Sequence, residues 1–522
     1  MTRSEYCCFM LIVLLAGCLC LGGQQAAQSA APEGTAKPAK ADRLFKEQTK
    51  HTRHEITING RSIAYTATVG TMMLKRDFEE PTAYIFYIAY TKDDVKDSGR
   101  RPVTFSFNGG PGSSSVWLHM GLLGPRRVRM AESGQAPPPP YSTEDNAYCL
   151  LDKTDLVFVD PVSTGFSRVM PGGDPKQFHG YKKDIHAVAQ FIRRYVTRFE
   201  RWGSPKFLIG ESYGTTRAAG LCNYLQNAHG MNLNGVLLIS AALAFQAFDP
   251  SPGNDLPYLL TLPSMTATAW FHNQLDDKLQ ADLGAAMEAA EAFALGDYAR
   301  VLLMGDAAGA ELVGRTAAGL ARFTGLSKEY VLQANLRISV PRFAKELLRE
   351  KRRTIGRLDS RLTGMDADAA GEGYEYDPAM AAVIPPYTAC FNDYIRRELG
   401  WESDLAYEIF NFHVHPWDFS PFINRYVDVT PELREAMTKN QALKLFVASG
   451  YFDLGTPYLA TRYAVNHLGL EPGLRDHVTI KHYRAGHMMY TDLESLRQLH
   501  GDIAAFMDAV LEENTKGVDH AN

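Results

Sequence analysis

The chain has 522 residues, 45% hydrophobic and 22% charged, with 54 basic against 59 acidic side chains and a formal charge of −5. That length buries one large core and leaves room for an additional domain. The near balance of charge gives nucleic acid no electrostatic footing as a partner, and no period of about 20–50 residues marks a solenoid or propeller.

In chain order, residues 9–15 (FMLIVLL) form an apolar run too short to span a bilayer, followed by small residues, as in an export signal. Leu15-Ala16-Gly17-Cys18 resembles a bacterial lipobox. On that reading residues 1–17 are a lipoprotein-type signal peptide and Cys18 is the lipidated first residue of the mature chain. Cleavage nearer Ala27 or Ala30 is the alternative, and both routes take the protein to the cell envelope or beyond. Residues 18–50, rich in Ala, Gln, Pro and Lys, are expected to be a flexible tether.

Residues 54–73 and 83–91 alternate as antiparallel strands do. The strand at 102–107 leads into Asn108-Gly109-Gly110-Pro111-Gly112-Ser113, whose glycines free backbone N–H groups to face a developing negative charge. A strand at 155–159 ends on the polar loop 160–167. Helical apolar spacing follows over 179–199, then a strand at 207–209, a helix to about 229 and a strand at 235–240. This rhythm predicts a mostly parallel α/β sheet covered on both faces. It stops between 246 and 439, a largely helical segment with irregular aromatic stretches such as 374–387, expected to be a cap inserted in the core. It resumes with strands at 443–449 and 477–482 and a last helix to about 512. The core is thus assigned to 51–245 and 440–515. In the globular part only Cys149, Cys222 and Cys390 remain, too few and too widely spaced for a disulfide framework.

Gly210-Glu211-Ser212-Tyr213-Gly214, between strand and helix, fits the sharp turn that lifts a serine hydroxyl above a sheet edge. A serine becomes a nucleophile when a histidine takes its proton and a carboxylate orients that histidine. Ser212, Asp453 and His487 each follow a core strand, in the chain order of an α/β-hydrolase. His413-Val-His415 with Asp418 is the one metal-like spacing weighed, and its aromatic setting reads as structural. Lys351-Arg352-Arg353 reads as a solvated cluster. Nothing in the pattern calls for a cofactor or metal.

Asn108-Gly-Gly-Pro-Gly-Ser-Ser, Gly210-Glu-Ser-Tyr-Gly, Gly450-Tyr-Phe-Asp453 and Ala485-Gly-His487-Met together resemble the serine carboxypeptidase family, of bacterial type, with the α/β-hydrolase fold. The resemblance covers about 54–250 and 440–512. It implies Ser212 as nucleophile, His487 as general base then acid, Asp453 as orienter, and backbone N–H groups of Gly110 and Tyr213 as the oxyanion hole. It further implies Asn108, Gly109 and Glu211 as the grip on a free α-carboxylate, so that peptide or protein C-termini are the substrates. A membrane partner enters only through a lipid on Cys18. Three positions depart from the family pattern: Leu122 where a second glutamate is common, Tyr490 where a proline is usual, and Thr215 where Gly or Ser is usual. An esterase or acyltransferase on the same machinery, or a non-catalytic binding protein of this fold, are the competing functions.

Overall fold

The computed structural model describes residues 46–76 and 80–519, with side chains of the last helix described to residue 513. The segment read as an export signal, Cys18 and the part of the expected tether up to residue 45 lie outside the described residues.

Nine main strands form one sheet: β1 (Thr49–Ile58), β2 (Arg61–Arg76), β3 (Glu80–Lys92), β4 (Val103–Phe107), β5 (Asp155–Val159), β6 (Lys206–Glu211), β7 (Gly235–Ile239), β8 (Lys444–Gly450) and β9 (Val478–Tyr483). Their spatial order is β1-β2-β3-β5-β4-β6-β7-β8-β9, with the short strand Arg168–Val169 added beside β3. The first three run antiparallel up to β5, and from β5 to β9 every pairing is parallel. This is the mostly parallel α/β sheet expected. β1 begins at Thr49, inside the stretch expected to be tether.

Parallel strands covered on both faces are largely apolar, as β7 (GVLLI) is along its whole length, while the edge strand β9 (VTIKHY) leaves Lys481 exposed. Along β6 and β7, Leu208 and Leu238 pack into one core layer, while Phe207, Ile209, Leu237 and Ile239 pack into the other. The first layer is closed by α1 (Tyr181–Arg198) and α2 (Tyr213–His229).

Between β7 and β8 no residue joins the main sheet. Helices α3 (Leu256–Phe271), α4 (Leu283–Phe293) and α5 (Ala310–Thr324) share a separate apolar cluster. The next two long helices behave differently. Phe391 and Tyr394 of α6 (Pro378–Arg397) pack into the second sheet layer, and Leu433 and Met437 of α7 (Thr430–Lys439) into the first. The inserted segment thus supplies flanks of the sheet as well as a layer above it. After β8 come α8 (Tyr458–Asn466) and, beyond β9, α9 (Leu493–Asp519).

α6 overlaps the stretch read as irregular. Its Pro385 and Pro386 remove two N–H donors, which argued against a helix in sequence. The ring nitrogens of Pro385 and Pro386 cannot donate to the carbonyls of Ala381, exposed, and Ala382, half-buried. Cys149, Cys222 and Cys390 are all free and buried. Among the described residues no helix is long and apolar enough to cross a membrane.

Candidate active site

Ser212 sits where β6 stops and α2 starts, with φ 59° and ψ −129°. A side chain at positive φ carries strain that the surroundings must hold. Ser212 N donates to the Ile239 carbonyl (3.0 Å), and its own carbonyl accepts from Thr215 N (2.8 Å) and Thr215 Oγ1 (2.6 Å). Thr215 Oγ1 also accepts from Ala242 N at 2.8 Å. The threonine that looked like a departure therefore ties the turn to the end of β7. A Cβ on Gly210 would lie 2.2 Å from the Gly214 carbonyl oxygen, so the turn closes only with glycine there.

Asp453 follows β8 and is fully buried. Its Oδ2 accepts from His487 Nδ1 (2.7 Å) and Thr456 Oγ1 (2.6 Å), and its Oδ1 from Gly455 N (2.7 Å) and Thr456 N (3.0 Å). Burial pushes this carboxyl up, but the charge and hydrogen bond of His487 and the Thr456 donors outweigh it and hold it below its ordinary value. His487 shows the mirror case. Burial lowers it, the Asp453 carboxylate outweighs that, and it ends above its ordinary value. The backbone around the imidazole is fixed by His487 N donating to Leu358 O (2.6 Å) and by Ser240 Oγ donating to His487 O (2.7 Å). With Nδ1 committed to Asp453, Nε2 is the nitrogen left to exchange a proton.

The loop after β4 lies against the N-terminus of α2. A Cβ on Gly109 would come 2.4 Å from Tyr213 N and 2.8 Å from Gly214 N, so glycine lets the loop rest on the helix end. Gly110 has φ +103°, and within the described residues neither the Gly110 nor the Tyr213 N–H donates to a protein acceptor. Two unused amides at a helix N-terminus suit an anionic oxygen.

Beside them, Asn108 Nδ2 donates to Glu211 Oε1 at 2.9 Å, while Asn108 Oδ1 accepts from Leu118 N at 3.1 Å. Glu211 is 3% exposed, and burial lifts its carboxyl to about 7, against the opposing pull of His487, Tyr490 and Asn108. Leu122 is fully buried among apolar residues. The described residues thus bring Ser212, Asp453, His487, Asn108, Gly109, Gly110, Glu211 and Tyr213 to one end of the parallel strands.

Several residues around this site carried no role in sequence. Arg217, on the buried side of α2, donates through Nε to Asp184 Oδ2 (2.7 Å) and through a terminal nitrogen to the Asn108 carbonyl (2.6 Å). Its guanidinium lies 5.3 Å from the Phe107 ring centroid and 5.5 Å from that of Tyr213. The signal was available as a lone charge in a run of small buried residues. Thr456 and Trp417, whose Nε1 donates to the Tyr213 hydroxyl (2.9 Å), gave no such signal.

The inserted segment reaches the site directly. Ser114 N donates to Ile409 O (3.2 Å) and Asn411 N to Gly112 O (2.8 Å), and the Phe410 ring lies over Gly110. The Phe412 ring lies tilted against Phe410, 4.7 Å between centroids, and is largely exposed. The loop 160–167 joins the same strap through Asn411 Nδ2, which donates to Ser163 O (2.8 Å), while Asp160 Oδ1 accepts from Ser115 N (2.8 Å). Burial raises Asp160 to about 7. Leu358, Leu362, Val383 and Met488, with Asp359 and Thr491, line a small hollow. Asp418, once grouped with His413 and His415, pairs with Lys183 at 2.8 Å.

Comparison with known proteins agrees with this architecture. The serine carboxypeptidase family model matches residues 75–499. The chain is similar to "Serine carboxypeptidase-like 36" of Arabidopsis thaliana, 29% identical over 31% of this chain and 32% of that protein. It is also similar to "Carboxypeptidase Y homolog A" of Leptosphaeria maculans, 31% identical over 26% of this chain and 23% of that protein. These matches span about a third or less of the curated relatives. Among solved structures, the prohormone-processing carboxypeptidase Kex1Δp of Saccharomyces cerevisiae superposes with a TM-score of 0.52 at 17% identity, covering 85% of this chain and 91% of that one, a likeness of fold. With a family model matched from β2 to α9, the chain belongs to the serine carboxypeptidase family.

Proposed function

We propose that the protein is a serine-type carboxypeptidase that removes C-terminal residues from peptides through an acyl-enzyme. The observation that carries this reading is the buried Asn108–Glu211 pair immediately before Ser212. An esterase needs a nucleophile, a base and an oxyanion hole. It does not need a buried acid and amide beside them, whereas a substrate ending in a carboxylate does.

In this scheme Ser212 Oγ attacks the last peptide carbonyl and its proton passes to His487 Nε2. The oxyanion rests on the Gly110 and Tyr213 N–H groups, and His487 returns the proton to the leaving amine. Water then repeats the sequence on the acyl-enzyme, and Asp453 keeps the imidazole in one tautomer throughout. Protonated Glu211, with Asn108 and Gly109, receives the terminal carboxylate. The burial of Leu122, where the family commonly has a glutamate, favours an esterase or acyltransferase as the second reading.

An organofluorophosphonate should label the protein at Ser212 and not label Ser212→Ala; equal labelling of both excludes the serine mechanism. A peptide and its C-terminal amide then separate the two readings. The carboxypeptidase requires kcat/KM on the free acid to exceed that on the amide by at least about tenfold, the worth of a charged hydrogen bond. Parity favours the esterase.

Export and lipidation at Cys18 are part of the same proposal, with residues 246–439 taken as the cap. The bacterial assignment rests on the lipobox alone, since the relatives named above are from a plant and a fungus. Growth with labelled palmitate, followed by Cys18→Ser, tests it: label that persists on the variant excludes the anchor.

A further inference from the structure

Two departures from the family pattern that are remote in sequence meet in space. Tyr490 lies in the short turn Met489–Thr491 after His487 and is 1% exposed. Its ring presses on Gly121, next to Leu122. A Cβ at 121 would come 2.3 Å from Tyr490 Cε2 and 2.6 Å from the Tyr387 hydroxyl. Tyr490 and Tyr387 therefore fill the space beside Leu122, which glycine at 121 leaves open.

The Tyr490 hydroxyl is fully buried, faces both Glu211 and Asn108, and makes a well-formed hydrogen bond to neither. Glu211 Oε2 is likewise buried and unpartnered among the described residues. Oε1 is occupied by Asn108, so the proton of neutral Glu211 belongs on Oε2. Two buried hydroxyl groups then converge one residue before Ser212, each without a partner of good geometry among the described residues. Leaving such groups unsatisfied costs about 1–3 kcal/mol each. A carboxylate, with two acceptor oxygens, satisfies both at once.

We propose that Tyr490 is a carboxylate-binding residue of this enzyme, donating its phenolic hydrogen to the terminal carboxylate of the substrate alongside Glu211. The inference rests on the carboxypeptidase reading and deepens it. Tyr490 takes the part of the absent second acid with a different chemistry. Burial, Glu211 and Tyr387 raise its pKa well above the ordinary phenol value, so it stays a donor at every working pH, which a second carboxylic acid does not.

The test is Tyr490→Phe, which removes one oxygen and keeps the ring on Gly121. KM for a free-acid peptide should rise about tenfold with kcat within about twofold, and the free-acid to amide selectivity should fall by the same factor. Because both substrates use the same nucleophile, that ratio is independent of the fraction of folded enzyme. In a Glu211→Gln background the further loss from Tyr490→Phe should shrink to about threefold or less, since the two donors share one ligand. If Tyr490→Phe lowers kcat/KM equally on both substrates, or leaves the selectivity intact, Tyr490 does not touch the carboxylate. If the unaltered enzyme does not prefer the free acid, the carboxypeptidase reading falls and this inference with it.

Discussion

Glu211 shows how one buried carboxyl can set both substrate choice and pH response. On the function proposed above, protonated Glu211 donates to a terminal carboxylate and ionised Glu211 repels it. With its carboxyl lifted to about 7, kcat/KM for a free-acid peptide should fall as pH rises through 7. His487 works in the opposite sense, because it must be neutral to accept the serine proton, and it acts equally on acid and amide substrates. The ratio of the two substrates therefore isolates Glu211. That ratio should drop across pH 6–8 and be flat in Glu211→Gln; a flat ratio in the unaltered enzyme removes Glu211 from the carboxylate site. Thr456 offers a second residue-level prediction. Thr456→Val removes one of four donors to the Asp453 carboxylate and keeps the side-chain shape. Stability should fall by about 1.5–3 kcal/mol, the range for a hydrogen bond to a charged group. Denaturant unfolding that shows no change would mean that water replaces the hydroxyl.

At the scale of elements, Arg217 ties α2, which begins just after Ser212, to the loop after β4 through the Asn108 carbonyl. Arg217 and Asp184 are 1% and 3% exposed, so removing one partner leaves a buried charge uncompensated. Asp184→Ala should cost about 3–5 kcal/mol. Arg217→Met with Asp184→Leu should recover much of that stability yet remain slower, because the Asn108 carbonyl still lacks its donor. Equal stability for the single and double variants contradicts the ion-pair account. Here the limits of sequence reading have physical causes. Strand and helix positions in the core were legible because their apolar runs are short and bounded by turn residues. The hairpin inside 54–73 was not separated, although Asn59 and Gly60 both have φ > 0, at 50° and 72°, as a two-residue hairpin turn requires. α6 was masked by its paired prolines. Ser212, Asp453 and His487 were legible because each stands at the end of a strand. Arg217, Thr456 and Tyr490 were not given roles, because theirs depend on partners that only folding brings near.

For the molecule as a whole, the raised carboxyls at Glu211 and Asp160 link stability to pH. Both rise to about 7 from ordinary values of 4.5 and 3.8, so the folded state retains protons that the unfolded chain has released. Their contribution is fully present below about pH 4 and is lost as pH rises through 7. Asp453, held below its ordinary value, pulls the other way only at more acid pH. Buried His119 and half-buried His482, lowered to about 3 and about 4, pull the opposite way up to about pH 6.5, so the share of the two carboxyls is read as a difference. Glu211→Gln with Asp160→Asn should make the change of melting temperature between about pH 5 and 8 more positive than in the unaltered protein; an unchanged slope removes these two groups from the pH dependence.

The backbone pairing of residues 409–411 with 112–114 bears on how this family can diversify. A lid joined only by its two ends can be exchanged between enzymes as a cassette. Here the incoming cassette must also supply the strand-like contacts to residues 112–114 and the aromatic ring above Gly110. Recombination at 246 and 439, the bounds of the proposed cap, would thus transplant part of the frame around the proposed site along with the specificity it was meant to change. Chimeras that keep this chain's residues from 408 onward should retain turnover that full exchanges lose.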